Sequence, residues 1–136
     1  MPQPFVLTSE ECRRLLSTVA VGRVGVTMGA LPVVLPVQFA LHDGDVVFQT
    51  VQGTSFHAAS TDAVAAFEAD SYASDGSSGW SVLVQGRSQT LTDAADLDQL
   101  RPLFTDRWTT PPSHADRIIR IHTSLVRGRR YERNPD

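Results

Sequence analysis

The sequence predicts a mainly β domain with a few helices, built from antiparallel strands that close into a barrel or roll. Three observations carry this. Apolar residues come in short β-branched or alternating runs, not in long helical stripes. The runs are joined by short turn-rich links such as "MGA" and "HDGD". Nowhere do strand and helix patterns alternate in the rhythm of a parallel βαβ sheet. Counting the runs gives roughly six or seven strands and three helices, and closing such a sheet removes exposed edges.

The elements follow in order. In "LTSEECRRLLSTV", Thr8 and Glu11 form a capping-box pattern, and Leu7, Leu15 and Leu16 give a helix its apolar side. Glu10 and Glu11 lie in the first turn, where negative charge suits the helix dipole. "AVGRVGVTMG" reads as a strand ending in a turn at Met28-Gly29-Ala30. "LPVVLPVQFAL" is β-branched and apolar, interrupted by Pro32 and Pro36. Proline belongs on edges, at bulges, or where the missing amide hydrogen faces a ligand. "HDGD" is an Asp-Gly hairpin with His42 as a turn residue, and "DVVFQT" is the next strand.

After Gly53, "TSFHAAS" is a short helix with Thr54 near its start. "DAVAAFEAD" has helical propensity in its Ala and Glu, but the alternation of Val64, Ala66 and Glu68 favours a strand. "SYASDGSSG" reads as a mobile polar loop. "WSVLVQGRSQTLT" is a strand with Gly86 as a bulge or bend. "TDAADLDQLRPLFTDRW" is a helix capped by Asp93, with Leu97, Leu100, Leu103 and Phe104 on one side, and "TTPPSH" ends it. "DRIIRIHTSLVRGRRYE" is a final strand pair or one long bent strand.

Composition narrows the function classes. A chain of 136 residues, 41% hydrophobic, fits one domain spanning 1–136 with a real core. A net charge of −3 points to neither nucleic acid nor an anionic membrane as partner. All 12 basic residues are arginine, so neither a lysine Schiff base nor a lysine phosphate clamp exists in this chain. The single Cys12 excludes an internal disulfide and a multi-cysteine zinc site. The N-terminus does not read as a signal peptide, and no apolar run approaches membrane-spanning length. These features give a cytoplasmic expectation.

Catalytic signatures are sparse. No G-x-S-x-G elbow occurs, and Cys12 on an amphipathic helix reads as a core residue. His42, His57, His114 and His122 lack metal-ligand spacing, so no metal is expected. Arg117, Arg120, Arg127, Arg129, Arg130 and Arg133 crowd the C-terminal end. They read as ion pairs with the many aspartates or a solvated edge, or as contacts to an anionic small ligand or a partner subunit. In "QTVQGTSFHAAS" a strand end turns at Gly53 into a helix start, where a phosphate can sit. Thr50, Gly53, Thr54 and Ser55 supply hydroxyls and amides there, and His57 lies one turn into the helix. The stretch contains no cation, and by itself it is equally a plain strand-to-helix connection.

Several segments together resemble the pyridoxamine 5′-phosphate oxidase-like proteins, the flavin-binding split β-barrels. They are "VGRVGVT", "LPVVLPVQFAL", "DGDVVFQT", "GTS", "GWSVLVQGRSQTLTD" and "RIIRI…VRGRRY", in family order from about Leu7 to Tyr131. The resemblance implies a six-stranded antiparallel split barrel that forms a homodimer, with two cofactor sites in the interface. It implies FMN as cofactor, with the deazaflavin F420 as the alternative, and an oxidoreductase acting on a small-molecule substrate. A further alternative is a non-catalytic ligand-binding relative.

Carried over residue by residue, Pro36, Val37 and Gln38 would run along the flavin ring, and Gln49 and Thr50 near the ribityl phosphate. Gly53 and Thr54 match the phosphate turn, while Ser55 stands where the family has lysine. Trp80, Ser81 and Val82 would reach the flavin from the partner subunit. Losing a charge-assisted contact at Ser55 would cost about 1.5–3 kcal/mol of flavin binding. His57, Arg87 or a C-terminal arginine are the nominees to replace it. The chain is shorter than the enzymes that oxidise pyridoxamine phosphate, and a second phosphate site is not evident.

Overall fold

A computed structural model describes residues 3–104 and 116–133 of the chain. The elements are β1 (Gln3–Leu7), α1 (Ser9–Leu16), β2 (Val21–Met28), β3 (Leu31–His42), β4 (Asp45–Val51), α2 (Ser55–Ala59) and β5 (Ala63–Tyr72). There follow β6 (Ser78–Thr90), α3 (Ala94–Leu100) with a 3₁₀ turn at Arg101–Phe104, β7 (Asp116–Ile121) and β8 (Leu125–Glu132). The strands join in the order β1-β8-β6-β5-β2-β3-β4-β7, and β7 returns to pair with β6. That last pairing closes an antiparallel barrel of six strands, β2 to β7, with β8 and β1 as an extension.

Closure depends on β6. One edge pairs with β5, from Ala63↔Ser88 to Tyr72↔Gly79. The other edge serves two strands in succession, β8 against residues 78–85 and β7 against residues 88–90. The change of partner falls at Gly86, where the link between β7 and β8 passes close by. His122 N donates to the Arg87 carbonyl (2.9 Å) and Ser124 N to the Gln85 carbonyl (3.0 Å). A Cβ on residue 86 would stand 1.6 Å from the His122 carbonyl oxygen. No bulge interrupts the β5–β6 register there, which runs unbroken through Ala65↔Gly86; the glycine instead admits a close backbone approach. The final segment is two strands, both antiparallel to β6 and broken at this crossing.

The barrel interior is filled by alternate residues of each strand: Val24 and Val26, Val37 and Phe39, Val46 and Phe48, Phe67, Val82 and Val84, Ile119 and Ile121. Phe39 and Phe67 stack at 4.6 Å between ring centroids. Helix α1 has the full capping box, with Thr8 accepting from Glu11 N and Glu11 accepting from Thr8 N. It drives Cys12 and Leu16 into the same core. Cys12 lies against Gly128 of β8, and burial pushes its thiol pKa up. A second, smaller core forms on the outer side of β4 and β7, where Leu91, Leu100 and Phe104 cover Val47 and Ile118. Complete burial of a side chain such as Leu100 is worth about 1.5–3 kcal/mol.

The β3–β4 hairpin turns on Asp43 (φ 50°) and Gly44 (φ 83°), the two positive φ values a tight hairpin needs. Asp45, the next residue, accepts from Thr123 N (3.0 Å) and from Arg120 Nε (2.7 Å). Burial opposes its ionisation, but these two bonds hold its carboxyl below the usual range. The hairpin is thereby fastened to the corner between β7 and β8.

Three expectations are corrected. Leu7 ends a strand, β1, that pairs with β8, instead of lying on α1. The strand is five residues long and contains Pro4, so no alternation announced it. The loop between β5 and β6 is a short hydrogen-bonded turn, because both strands extend further than their apolar residues. Ala73 N donates to Ser78 O and Gly76 N to Ala73 O, each at 2.9 Å, and Asp75 accepts from Ser77 N. His42 ends β3, and its Nε2 lies 3.0 Å from Asp96 Oδ1 on α3. The expected strand at Ala63–Tyr72 is present. The helix continuation through Trp108, its stop "TTPPSH" and His114 lie outside the described residues.

Gly86→Ala is expected to lower stability by about 1–3 kcal/mol or more, since backbone must move to admit the methyl. Gly25→Ala, whose added Cβ would meet nothing nearer than 3.7 Å, is expected to stay within about 1 kcal/mol. Urea unfolding midpoints of the two variants check the contrast.

Candidate functional site

Strands β3 and β4 pair only from Phe39↔Phe48 to His42↔Asp45, next to their turn. Beyond that base they part. Residues 31–38 of β3 follow β2, and β4 follows β7 as far as Val51↔Asp116. The result is a fork with Pro36, Val37 and Gln38 on one arm and Gln49 and Thr50 on the other. The prolines explain why the fork stays open. Phe39 N donates to the Ala20 carbonyl on the β2 side (3.1 Å). In an antiparallel ladder the direction alternates, so the even positions face away from β2. Pro32 and Pro36 therefore remove amide hydrogens from the open edge, costing β2 nothing and denying β4 a partner.

The arm of β4 ends in the turn at Gly53 (φ 89°) and passes into α2. Phe56 and Ala59 pack α2 onto the barrel core, with Phe56 5.9 Å from Phe48. Thr54 caps the helix, accepting from His57 N (3.1 Å) and donating to Val51 O (2.7 Å). Ser55 is exposed. The helix has only five residues, so its dipole is slight and any charge for an anion must come from side chains.

Of the polar side chains nearby, Thr50, His57, Gln52 and Arg117 meet at the β4 end of the fork. Thr50, 3% exposed, holds its Oγ1 2.7 Å from His57 Nδ1. The His57 carbonyl accepts from Thr61 Oγ1 (2.9 Å), which lies 3.1 Å from Thr90 Oγ1. Ser60 Oγ is fully buried with no hydrogen-bond partner among the described residues. Arg117 stands directly across from Thr50, and its guanidinium donates to Gln52 Oε1 in the turn and to the Asp116 carbonyl (2.9 Å). Arg87 is exposed, opposite Val64 on β5.

Nine of the residues singled out from sequence, Pro36, Val37, Gln38, Gln49, Thr50, Gly53, Thr54, Ser55 and His57, thus border one fork. Trp80, Ser81 and Val82 lie elsewhere, on β6 between β5 and β8. Val82 is buried in the barrel. Trp80 lines an open cleft of about 500 Å³ with Tyr72, Arg130 and Tyr131. Sequence reading missed Gln52 and did not set Arg117 apart from the other arginines. The two are 65 residues apart, and only the β4–β7 register brings them together.

On the outer face beside the fork, Arg23 lies opposite Pro36 and reaches Glu68 (3.6 Å) and Asp70 (3.5 Å). Burial, then the hydrogen bond and negative charge of Asp70, push the Glu68 carboxyl up to about 7, with Arg23 opposing. The donor set at the fork, hydroxyls, imidazole and guanidinium around an open glycine turn, fits a phosphate-bearing ligand. The apolar Val37 and the flanking prolines fit a planar ring. Among the described residues no cluster of metal-ligating side chains forms, and no helix is long and apolar enough to cross a membrane.

The family model described as pyridoxamine 5′-phosphate oxidase matches residues 8–130. The chain is a member of the pyridoxamine 5′-phosphate oxidase family. This family member is 31% identical over 127 residues to an uncharacterized protein of Mycobacterium tuberculosis, covering 90% of this chain and 82% of that one. It is similar in structure to an FAD binding protein of Mycobacterium smegmatis, with TM-score 0.80 and 30% identity over 94% of this chain and all of that one. A FAD-binding protein of Mesorhizobium loti shares the fold at TM-score 0.76 and 22% identity, covering 97% of this chain and 99% of that one.

Glu68 yields a pH prediction for this oxidase-family chain. Its folded pKa lies above the unfolded value, so its contribution is fully present below about 4.5 and is lost as pH rises through about 7. Glu68→Gln is expected to be more stable than wild type at pH 8, with the advantage absent at pH 4. Solvent screening keeps the gain under about 1 kcal/mol. Urea midpoints at the two pH values check this.

Proposed function

We propose that the protein is a flavin-dependent oxidoreductase that seats a flavin nucleotide in the fork between β3 and β4 and works as a homodimer. The observation that carries this reading is the polar corner of Thr50, His57, Gln52 and Arg117 at the end of an apolar fork, in a chain of this family. When bound, a flavin supplies a ring that accepts and donates hydride, so the protein need supply only placement and electrostatics. Pro36, Val37 and Gln38 would border the ring. Gln49, Thr50 and the turn at Gly53–Ser55 would take the ribityl and phosphate end, with His57 holding Thr50 in place. Substrate and electron donor would meet the ring on its exposed side.

FMN is the first reading. FAD is the second, favoured by the 30% identical FAD binding protein of Mycobacterium smegmatis. A physical argument supports the second reading as well. The terminal phosphate of FMN concentrates nearly two negative charges on one phosphorus at neutral pH, whereas the pyrophosphate of FAD spreads its two charges over two phosphorus atoms. A turn in which serine replaces lysine is the better match to the lower charge at one phosphate.

The test is direct. The purified protein is expected to be yellow, or to quench added flavin on titration, and FMN, FAD and F420 are titrated separately. A colourless protein that binds none of the three would overturn the redox reading in favour of a non-catalytic ligand-binding role. Ser55→Lys is expected to tighten FMN about tenfold. Unchanged affinity would place the phosphate away from this turn.

The homodimer is proposed because Trp80, Ser81 and Val82 lie off the fork of their own chain. A second copy would bring its β6 to the ligand. The outer face of the sheet suits this contact. Val34, Gly25, Ala66, Gln85 and Leu125 form one row across β3, β2, β5, β6 and β8, small at its centre, with Val34 and Leu125 exposed at its ends. Light scattering is expected to give twice the 14.8 kDa chain mass, and Ala66→Arg to return it to 14.8 kDa.

A further inference from the structure

The turn after β4 carries no charge of its own. Gln52, Thr54 and Ser55 are neutral, and the chain has no lysine. The structure nevertheless sets a cation against it. Thr50 and Arg117 are direct cross-strand partners, so their side chains stand on the same face of the sheet. Thr50 and its neighbours Val46 and Phe48 alternate toward the barrel interior, which puts Arg117 at the barrel's end above the fork. Its guanidinium reaches Gln52 Oε1 and is steadied by the carbonyl of its own neighbour Asp116.

We propose that Arg117 is the charge partner of the flavin nucleotide's phosphate, with Gln52 holding the guanidinium in position until the ligand arrives. The assignment rests on the flavin reading above. Gln52 offers a neutral amide oxygen. A phosphate offers the same guanidinium a full opposite charge and room for a bidentate pair, which a single amide oxygen does not. Thr50 adds a hydroxyl on the same face, fixed by His57 at 2.7 Å. Supplying the cation from β7, and not from the turn, frees Ser55 from any charged role. An arginine also presents a planar fork that matches phosphate oxygens.

Comparing riboflavin with FMN isolates the phosphate. Wild type, Arg117→Gln and Arg117→Lys are titrated with each ligand by flavin fluorescence quenching. Arg117→Gln is expected to weaken FMN about 10- to 100-fold and leave riboflavin within about twofold. Arg117→Lys is expected to keep an intermediate FMN affinity. On wild type, raising salt is expected to weaken FMN and not riboflavin, a measurement that stands even where a variant folds poorly. FMN binding unchanged in Arg117→Gln overturns the assignment and leaves the flavin reading intact. Equal weakening of both ligands also overturns it, since Arg117 would then only support the fold. Wild type that binds neither FMN, FAD nor riboflavin overturns both.

Discussion

The barrel exists because one strand changes partner along one edge. β6 gives residues 78–85 to β8 and residues 88–90 to β7, and only the second pairing closes the ring. The switch requires the β7–β8 link to pass within bonding distance of the β6 backbone, and Gly86 is where it passes. Everything inside follows. With the ring closed, alternate residues of six strands face one another, and the inward Val, Phe and Ile side chains become a core instead of an exposed sheet face.

Closure on one side permits opening on the other. β3 and β4 share only the four register pairs next to their turn, and each is secured by its other neighbour, β2 or β7. The fork can stay open because neither arm needs the other for its hydrogen bonds. Prolines on the open edge prevent a slow drift toward full pairing. Helix α2 fills the mouth from inside with Phe56 and Ala59, leaving the polar corner around Thr50 at the rim. A rigid wall, an open edge and a small cluster of hydrogen-bonding groups are the ingredients of a ligand site, and here all three trace back to strand pairing.

Much of this was legible locally. Turns, caps and alternation are short-range signals, so the capping box at Thr8 and Glu11, the Asp43-Gly44 hairpin and the strand at Ala63–Tyr72 could be read from residues alone. Even Pro32 and Pro36 announced an edge. β1 escaped because five residues with a proline carry no period, and it forms only by addition to β8. The candidate site was legible where it lies on one stretch, from Gln49 to His57. It was not legible where it depends on register. Arg117 was one of several arginines near the C-terminus until its pairing with Thr50 set it against the turn. Long-range pairing partners leave no mark in composition or spacing, so the sequence named the C-terminal arginines only as a group and could not single out Arg117.

Cys12 gives the molecule an internal gauge. The residue is 1% exposed, its sulfur held between α1 and the backbone of β8 at Gly128. As the sole thiol of the chain, it reacts with an alkylating reagent only after α1 lifts away. Labelling kinetics therefore report the free energy of undocking that helix, separately from melting of the whole barrel. The buried sulfur thus makes the seam between α1 and the barrel countable, one modified molecule at a time.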